Sequence, residues 1–449
     1  MKWEQLLSNK RLGQEKTAHR EDDRSEFQRD FDRLIFSAPF RRLQNKTQVF
    51  PLPGSIFVHN RLTHSLEVSS VGRSLGNDVS RLLLERHPEL ERTHLTEMGS
   101  IVSAACLAHD LGNPPFGHSG ERAIGSYFSE GEGRKYETYF CDETGDSLTP
   151  EQWQDLIHFE GNANAFRLLT HHFIGRREGG FVMTYSTLAS IVKYPYASSQ
   201  ASKKGKFGFF QSEEADYHKI AQELGIKKIR GAEGERYARY PLVYLVEAAD
   251  DICYQIMDIE DAHKLKILTT EETKTLLLSF FDEEKQKAAT ERLATLDDIN
   301  EQIVYLRSIV IGLLENECVR VFVDNEEAIL QGQFEGSLIE HISTTPQEAY
   351  KQCVKTAVAK IYHAQMVVDI EIAGHKVITQ LLDLMLDAVT HTDRTYSKIL
   401  INRVSSQYDI KAATLYERIL AVLDYISGMT DVFALDLYRK INGMSLATV

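Results

Sequence analysis

No run of 18 apolar residues occurs anywhere in this chain, so no transmembrane span is expected. Its start, Met1-Lys-Trp-Glu, leads into a charged stretch rather than an apolar one; no secretory signal is expected, and a cytoplasmic location is. Cysteine is scarce: five residues, at 106, 141, 253, 318 and 353, with no CxxC spacing. Cys106 and Cys253 fall in apolar helical stretches and are expected to be buried, reduced thiols. Positive charge is in deficit, with 51 Lys and Arg against 65 Asp and Glu and a net charge of −14. That balance argues against a general surface for duplex nucleic acid, which needs clustered cations. It leaves room for a local basic pocket that takes a small polyanion. Strand-like alternation is rare as well, confined to 181–185 and 365–373, and there is no internal repeat or long low-complexity tract.

What is abundant is apolar spacing of three and four residues. It predicts helices near 65–87, 96–110, 162–174, 240–260, 296–317, 346–368, 375–391 and 409–427. The fold class expected is all-α with few short strands. Polar connectors are expected at 129–150, 198–208 and 226–239, and Pro241 suits the first turn of the helix that follows. The chain reads as a single unit, 1–449, with a weakly marked break near residue 300 that separates a 35–300 core from C-terminal helices over 301–449.

Three places carry chemistry. His64 lies in Arg61-Leu-Thr-His64-Ser. His109-Asp110 ends the apolar run Ile101–Ala108, and Glu247-Ala-Ala-Asp250-Asp251 adds carboxylates far downstream. A His and an Asp at the end of a buried helix need partners, which a metal ion or a satisfied cap would supply. Helical geometry separates the two aspartates. The neighbours of Asp250 at 243, 246, 253 and 257 are Val, Val, Cys and Met, whereas those of Asp251 include Glu247, Gln255 and Asp258. Asp250 is therefore expected to face the apolar interior as the ligand, and Asp251 to be the spare, a salt-bridge partner at most. Two imidazoles with two carboxylates form a hard N/O set suited to a divalent ion that activates water.

After His109-Asp110 the chain is forced into an irregular turn by Gly112, Pro114, Pro115 and Gly117. His118 and Glu121 then stand three apart at a new helix start. That spacing lets the carboxylate reach the imidazole, as in a proton-transfer device or in an ordinary surface pair. Tyr254 and Asp258, four and eight residues beyond Asp250, share its helix face and either line a cavity or pack.

These segments resemble the H…HD…D signature of the HD superfamily of metal-dependent phosphohydrolases. More closely they are similar to bacterial deoxyguanosinetriphosphate triphosphohydrolases. The likeness runs through Phe40–Gln44, Thr47–Phe50, Asn60–Val68, His109–Glu121, Phe159–Ala163, Glu247–Tyr254 and Asp424–Asp431. The resemblance implies an HD-domain helical bundle core and hydrolysis of a dNTP, dGTP foremost, to deoxynucleoside and triphosphate. It implies Mn²⁺ or Mg²⁺ on His64, His109, Asp110 and Asp250, with His118 and Glu121 as the catalytic pair. It further implies Arg61, Asn162 and Lys193, with the adjoining Tyr194, near phosphate, Tyr254 and Asp258 near the deoxyribose, and Gln48 and Val49 facing base and sugar. Relatives of this kind assemble as tetramers or hexamers, and some use a dNTP activator or bind single-stranded DNA. Here only Lys203, Lys204 and Lys206 form a basic loop for such a strand. The rival expectations are another HD nucleotide phosphohydrolase and a regulatory protein that binds nucleotide or single-stranded nucleic acid without turnover.

Overall fold

The Ile101–Ala108 run sits in the helix Met98–Ala108, whose apolar residues are all buried, so every face must be covered by a neighbour. The long helix Arg61–Arg86 lies against it at unusually close range. A Cβ on Gly76 would stand 2.7 Å from the Cα of Gly99, so only glycine admits the approach. Ser69 donates to the Ser103 carbonyl at 2.9 Å and seals the same contact. The Asn60 side chain accepts from Thr63 N at 3.0 Å, and Thr63 Oγ1 accepts from Asn60 N at 3.1 Å; this capping box fixes where the long helix begins. His64 is thereby held in the first turn, beside the end of the central helix. A third helix, Val243–Lys264, packs on both and brings Asp250 to the same end.

The computed structural model describes residues 1–15, 24–50, 58–201, 205–229 and 234–445. Among these the architecture is all-α, and the only β pairing is a handful of isolated bridges. The two strand-like segments are corrected accordingly. Residues 181–184 form a turn before the helix Tyr185–Ile191, and 365–373 open the helix Gln365–Thr390. In the latter, Val367, Gly374, Val377, Ile378 and Leu381 repeat at helical spacing and are buried, and that burial outweighs the local β-branched alternation. The expected 346–368 helix is interrupted by a π-turn, Ala357–Ile361, between Thr344–Thr356 and Gln365–Thr390.

The apolar interior falls into two clusters. One surrounds Met98–Ala108 and takes in Ile299–Asp324; the other joins the helix His118–Ser129 to Gln365–Thr390 and Leu415–Ser427. The five cysteines are free and buried. No helix among the described residues is long and apolar enough to cross a membrane. Of the basic loop, Lys203 and Lys204 lie outside the described residues.

Candidate active site

Three helix ends converge on a cavity of about 230 Å³, lined by both imidazoles, both aspartates and His118. His64 Nε2 is 3.0 Å from Asp250 Oδ1, and His109 Nε2 is 3.6 Å from the same oxygen. One ligand atom from each of these three residues fits within 4.8 Å of the others. Two ligands at right angles about 2.1 Å from a cation stand about 3 Å apart, so the spacing suits an ion of that size. His109 Nδ1 pairs with the Cys106 carbonyl at 2.6 Å, which orients the ring, while its Nε2 is buried without a hydrogen-bond partner. A nitrogen aimed in this way and left unpaired is what a metal ligand looks like before the ion arrives.

Electrostatics agree with that reading. Burial lowers the His109 pKa, but the Asp110 and Asp250 charges outweigh it and hold the value up to about 9. Asp250 is also desolvated, which raises its pKa, yet His109 and His64 pull it well below the usual carboxylate range. The cluster thus holds a proton where a cation would sit, and binding a divalent ion would release that proton.

Asp250 shares a face with Val243, Val246, Cys253 and Met257, which are buried as its spacing required, while Val243 and Val246 also border the cavity into which the carboxylate opens, with 37% of its side chain exposed. Asp251 forms no ion pair among the described residues; burial and the adjacent Glu247 and Asp250 push it up to about 8.

Asp110 stands at the rim of the cluster. Its Oδ2 is 2.7 Å from Arg61 Nη1, its Oδ1 accepts from the Asn113 amide, and Oδ1 lies 3.7 Å from His109 Nε2. Arg61 is completely buried, with Nε and Nη2 lacking hydrogen-bond partners. The chain passes so close to it that a Cβ on Gly117 would stand 2.6 Å from Nη2, at a φ of +61° that already favours glycine.

Gly117 precedes the helix His118–Ser129, and His118 projects from its first turn, open to the cleft. Neighbouring groups still remove part of its hydration. That desolvation, then the Arg61 charge, pushes its pKa down to about 4, so the imidazole is neutral at pH 7. The expected His118–Glu121 contact does not form. Glu121 Oε1 instead accepts from Gly161 N at 2.7 Å, and the buried carboxyl faces Lys206 and Glu160. Lys206 Nζ lies 2.5 Å from Glu160 and 4.0 Å from Glu121, so this lysine belongs to the cleft and not to a free basic surface. Burial raises the pKa of both carboxyls, and the single ammonium between them works against it.

Opposite lies the cationic wall. Lys193 Nζ is 3.0 Å from Glu247; burial disfavours its charge, but Glu247 outweighs that and raises its pKa. Lys193, Tyr194, Asn162, Gln48 and Tyr254 all line the cavity. Asn162 donates to Glu160 at 2.6 Å, and the Tyr254 ring is 6.3 Å from that of His64. Two expected residues do not line it: Val49 packs against the first apolar cluster, and Asp258 lies deeper, accepting from Tyr362 at 2.8 Å. Burial pushes Asp258 up to about 8. Asn113, Glu160, Ser190, Glu247 and Lys206 are polar lining residues that spacing did not single out. Glu160 and Glu247 sit inside motifs already legible, whereas Lys206 carried no signal beyond its charge.

Residues 61–193 match the HD domain, and residues 341–440 match the phosphohydrolase-associated domain. A Pseudomonas aeruginosa protein named deoxyguanosinetriphosphate triphosphohydrolase-like is 38% identical over 99% of each chain. A Synechocystis protein of the same name is also 38% identical, over 99% of this chain and all of its own length. A Serratia proteamaculans protein named deoxyguanosinetriphosphate triphosphohydrolase is 31% identical over 93% of each.

Proposed function

Because this chain belongs to the deoxyguanosinetriphosphate triphosphohydrolase-like family of HD-domain proteins, we propose that it hydrolyses a dNTP, dGTP foremost, to deoxynucleoside and inorganic triphosphate. The observation that carries the reading is the cavity itself: a three-residue N/O cluster, a neutral histidine and two separated cations face one another in a space of about 230 Å³.

His64, His109 and Asp250, with Asp110 beside them, would hold Mn²⁺ or Mg²⁺. A divalent ion there supplies Lewis acidity at the α-phosphate and offsets the charge that develops on it. Lys193 and Tyr194 face the polyphosphate from the side of Glu247, and Asn162 and Lys206 from the side of Glu160. Lys193 stays charged at any working pH because Glu247 sustains it. Arg61 lines the cavity and balances the charge of Asp110, and so sets the orientation of that carboxylate. Tyr254 presents a ring beside the cluster, suited to a sugar without a 2′-hydroxyl, while Gln48 faces base and sugar.

Water attacks the α-phosphorus, the new P–O bond forms, and the bond to the nucleoside 5′-oxygen breaks. His118, neutral in the free protein, accepts the proton that water loses, and that proton passes to the departing 5′-oxygen, which leaves as the nucleoside hydroxyl. Glu121 holds the backbone at Gly161 and balances Lys206, so it shapes the site without touching the imidazole.

The pH dependence follows with its sign. The His118 pKa is lowered to about 4, so a general base there is competent above that value and lost as pH falls through it. A limb of kcat/KM near pH 4 to 5 is expected; a fall above pH 5 would assign the residue as an acid. His118→Ala is expected to cost about 10²- to 10⁴-fold in kcat with metal content unchanged. Full turnover in that variant would remove His118 from the chemistry.

Assaying the four dNTPs singly and in pairs, with Mn²⁺ or Mg²⁺, tests substrate, metal and any dNTP activator together. The proposal expects dGTP turnover with one of the ions. No hydrolysis of any dNTP under these conditions would favour a binding role without turnover. A homo-oligomer, tetramer or hexamer, is part of the proposal and is read by sedimentation. Single-stranded DNA is its weakest element, since Lys206 is committed to Glu160.

A further inference from the structure

The Asp424–Asp431 motif contributes no side chain to the cavity, yet its last residue touches two segments that do. Asp431 opens the helix Asp431–Ile441 and is buried. Its Oδ2 accepts from Thr47 N at 2.8 Å, one residue before Gln48. Its Oδ1 accepts from Phe116 N at 2.9 Å, two residues before His118.

Phe116 is not an ordinary acceptor of such attention. Its φ is +65°, a left-handed value that a bulky aromatic residue adopts only when its surroundings impose it, and Gly117 follows at +61°. These two residues swing the chain out of the loop after Asp110 and into the helix that carries His118. Phe116 is held from two directions. The Asp431 carboxylate takes its N–H, and its ring lies against Gly374, where an added Cβ would stand 2.7 Å from the ring. A second tie runs in parallel: buried Lys46 donates to the Asn113 carbonyl at 2.5 Å and to the Ser427 carbonyl at 2.7 Å. Every one of these anchors (Gly374, Ser427, Asp431) comes from the C-terminal part of the chain, far from the cluster in sequence.

We propose that Asp431 is a positioning residue: it pins the strained Phe116–Gly117 turn and the Thr47–Gln48 segment to one helix start and so aims His118 and Gln48 into the cavity. The phosphohydrolase-associated region is then required for the geometry of the reaction as well as for stability. The catalytic half of this inference rests on the triphosphohydrolase reading; the pinning itself does not.

The test compares wild-type protein with Asp431→Asn and Lys46→Met, by amide hydrogen exchange and by turnover of whichever dNTP the wild type accepts. An asparagine offers one oxygen and turns an N–H₂ toward a backbone donor, so at least one of the two bonds is lost. Removing a hydrogen bond to a charged group is expected to speed exchange about tenfold or more at residues 45–48 and 113–118, with the helix Arg61–Arg86 unchanged. For turnover, about a 100-fold loss in kcat is expected, with KM for dNTP raised through the loosened Gln48 and the Mn²⁺ affinity within about threefold of wild type, because misplacing a reacting group costs that much. Lys46→Met, which keeps the apolar stem, is expected to loosen 113–118 in the same way and keeps the test decisive if Asp431→Asn fails to fold. Unchanged exchange in both segments would overturn the pinning. Local loosening with wild-type kcat would overturn the positioning role, and exchange raised evenly throughout the chain would reduce Asp431 to a structural residue. If the wild type hydrolyses no dNTP, the triphosphohydrolase reading fails while the exchange data still decide the pinning.

Discussion

Asp250→Ala is expected to abolish metal-dependent hydrolysis, lowering turnover by about 10³-fold or more while the protein remains folded. The reason is geometric. Asp250 Oδ1 lies 3.0 Å from His64 and 3.6 Å from His109, so its removal takes the centre from the cluster instead of one corner. The several kcal/mol that a Lewis acid contributes at a developing phosphoryl charge are lost with it. Folding should tolerate the change because the side chain is partly exposed to the cleft. Metal content by elemental analysis and kcat on the same sample provide the check. Normal metal stoichiometry in Asp250→Ala would move the ligand role elsewhere on the helix, to Asp251 first.

Arg61→Met is expected to have the largest effect on stability. The guanidinium is fully buried and stands 2.7 Å from Asp110, so the variant strands a carboxylate in the interior. Breaking a buried ion pair by removing one partner costs about 3–5 kcal/mol. Asp110 is depressed by Arg61 against its own desolvation; without the arginine its pKa rises, and the variant is expected to lose stability as pH rises through the new value. A divalent ion supplies a replacement charge at the same carboxylate, so Mn²⁺ should restore part of the loss. Urea unfolding with and without Mn²⁺ reads both effects. A variant as stable as the parent without metal would mean that Asp110 draws its balance from elsewhere.

The residues of this site differ in how plainly the sequence announced them, and the differences have physical causes. His64, His109 and Asp250 were legible because helical spacing fixes which side chains share a face, and burial of a charged face demands a partner. Spacing tells which residues point together, but not that the apolar face of Asp250 also borders a cleft. The His118–Glu121 contact failed because sequence proximity offered Glu121 one partner while the fold offered a better pair, the Gly161 amide and Lys206. Lys206 itself comes from a loop whose only sequence signal is charge. Long-range ties such as Asp431 to Thr47 and Phe116 leave no periodic trace at all. The helices divide in the same way. Long apolar repeats were plain, whereas the break at Ala357–Ile361 and the helical fate of 365–373 depended on what packs against them.

The central claim is that water attacks the α-phosphorus and the polyphosphate leaves whole. Hydrolysis of dGTP in ¹⁸O-labelled water with Mn²⁺, followed by phosphorus NMR and mass spectrometry, tests it directly. The account predicts inorganic triphosphate carrying one ¹⁸O atom and unlabelled deoxyguanosine. Release of orthophosphate or pyrophosphate, or label in the nucleoside 5′-hydroxyl, would contradict it.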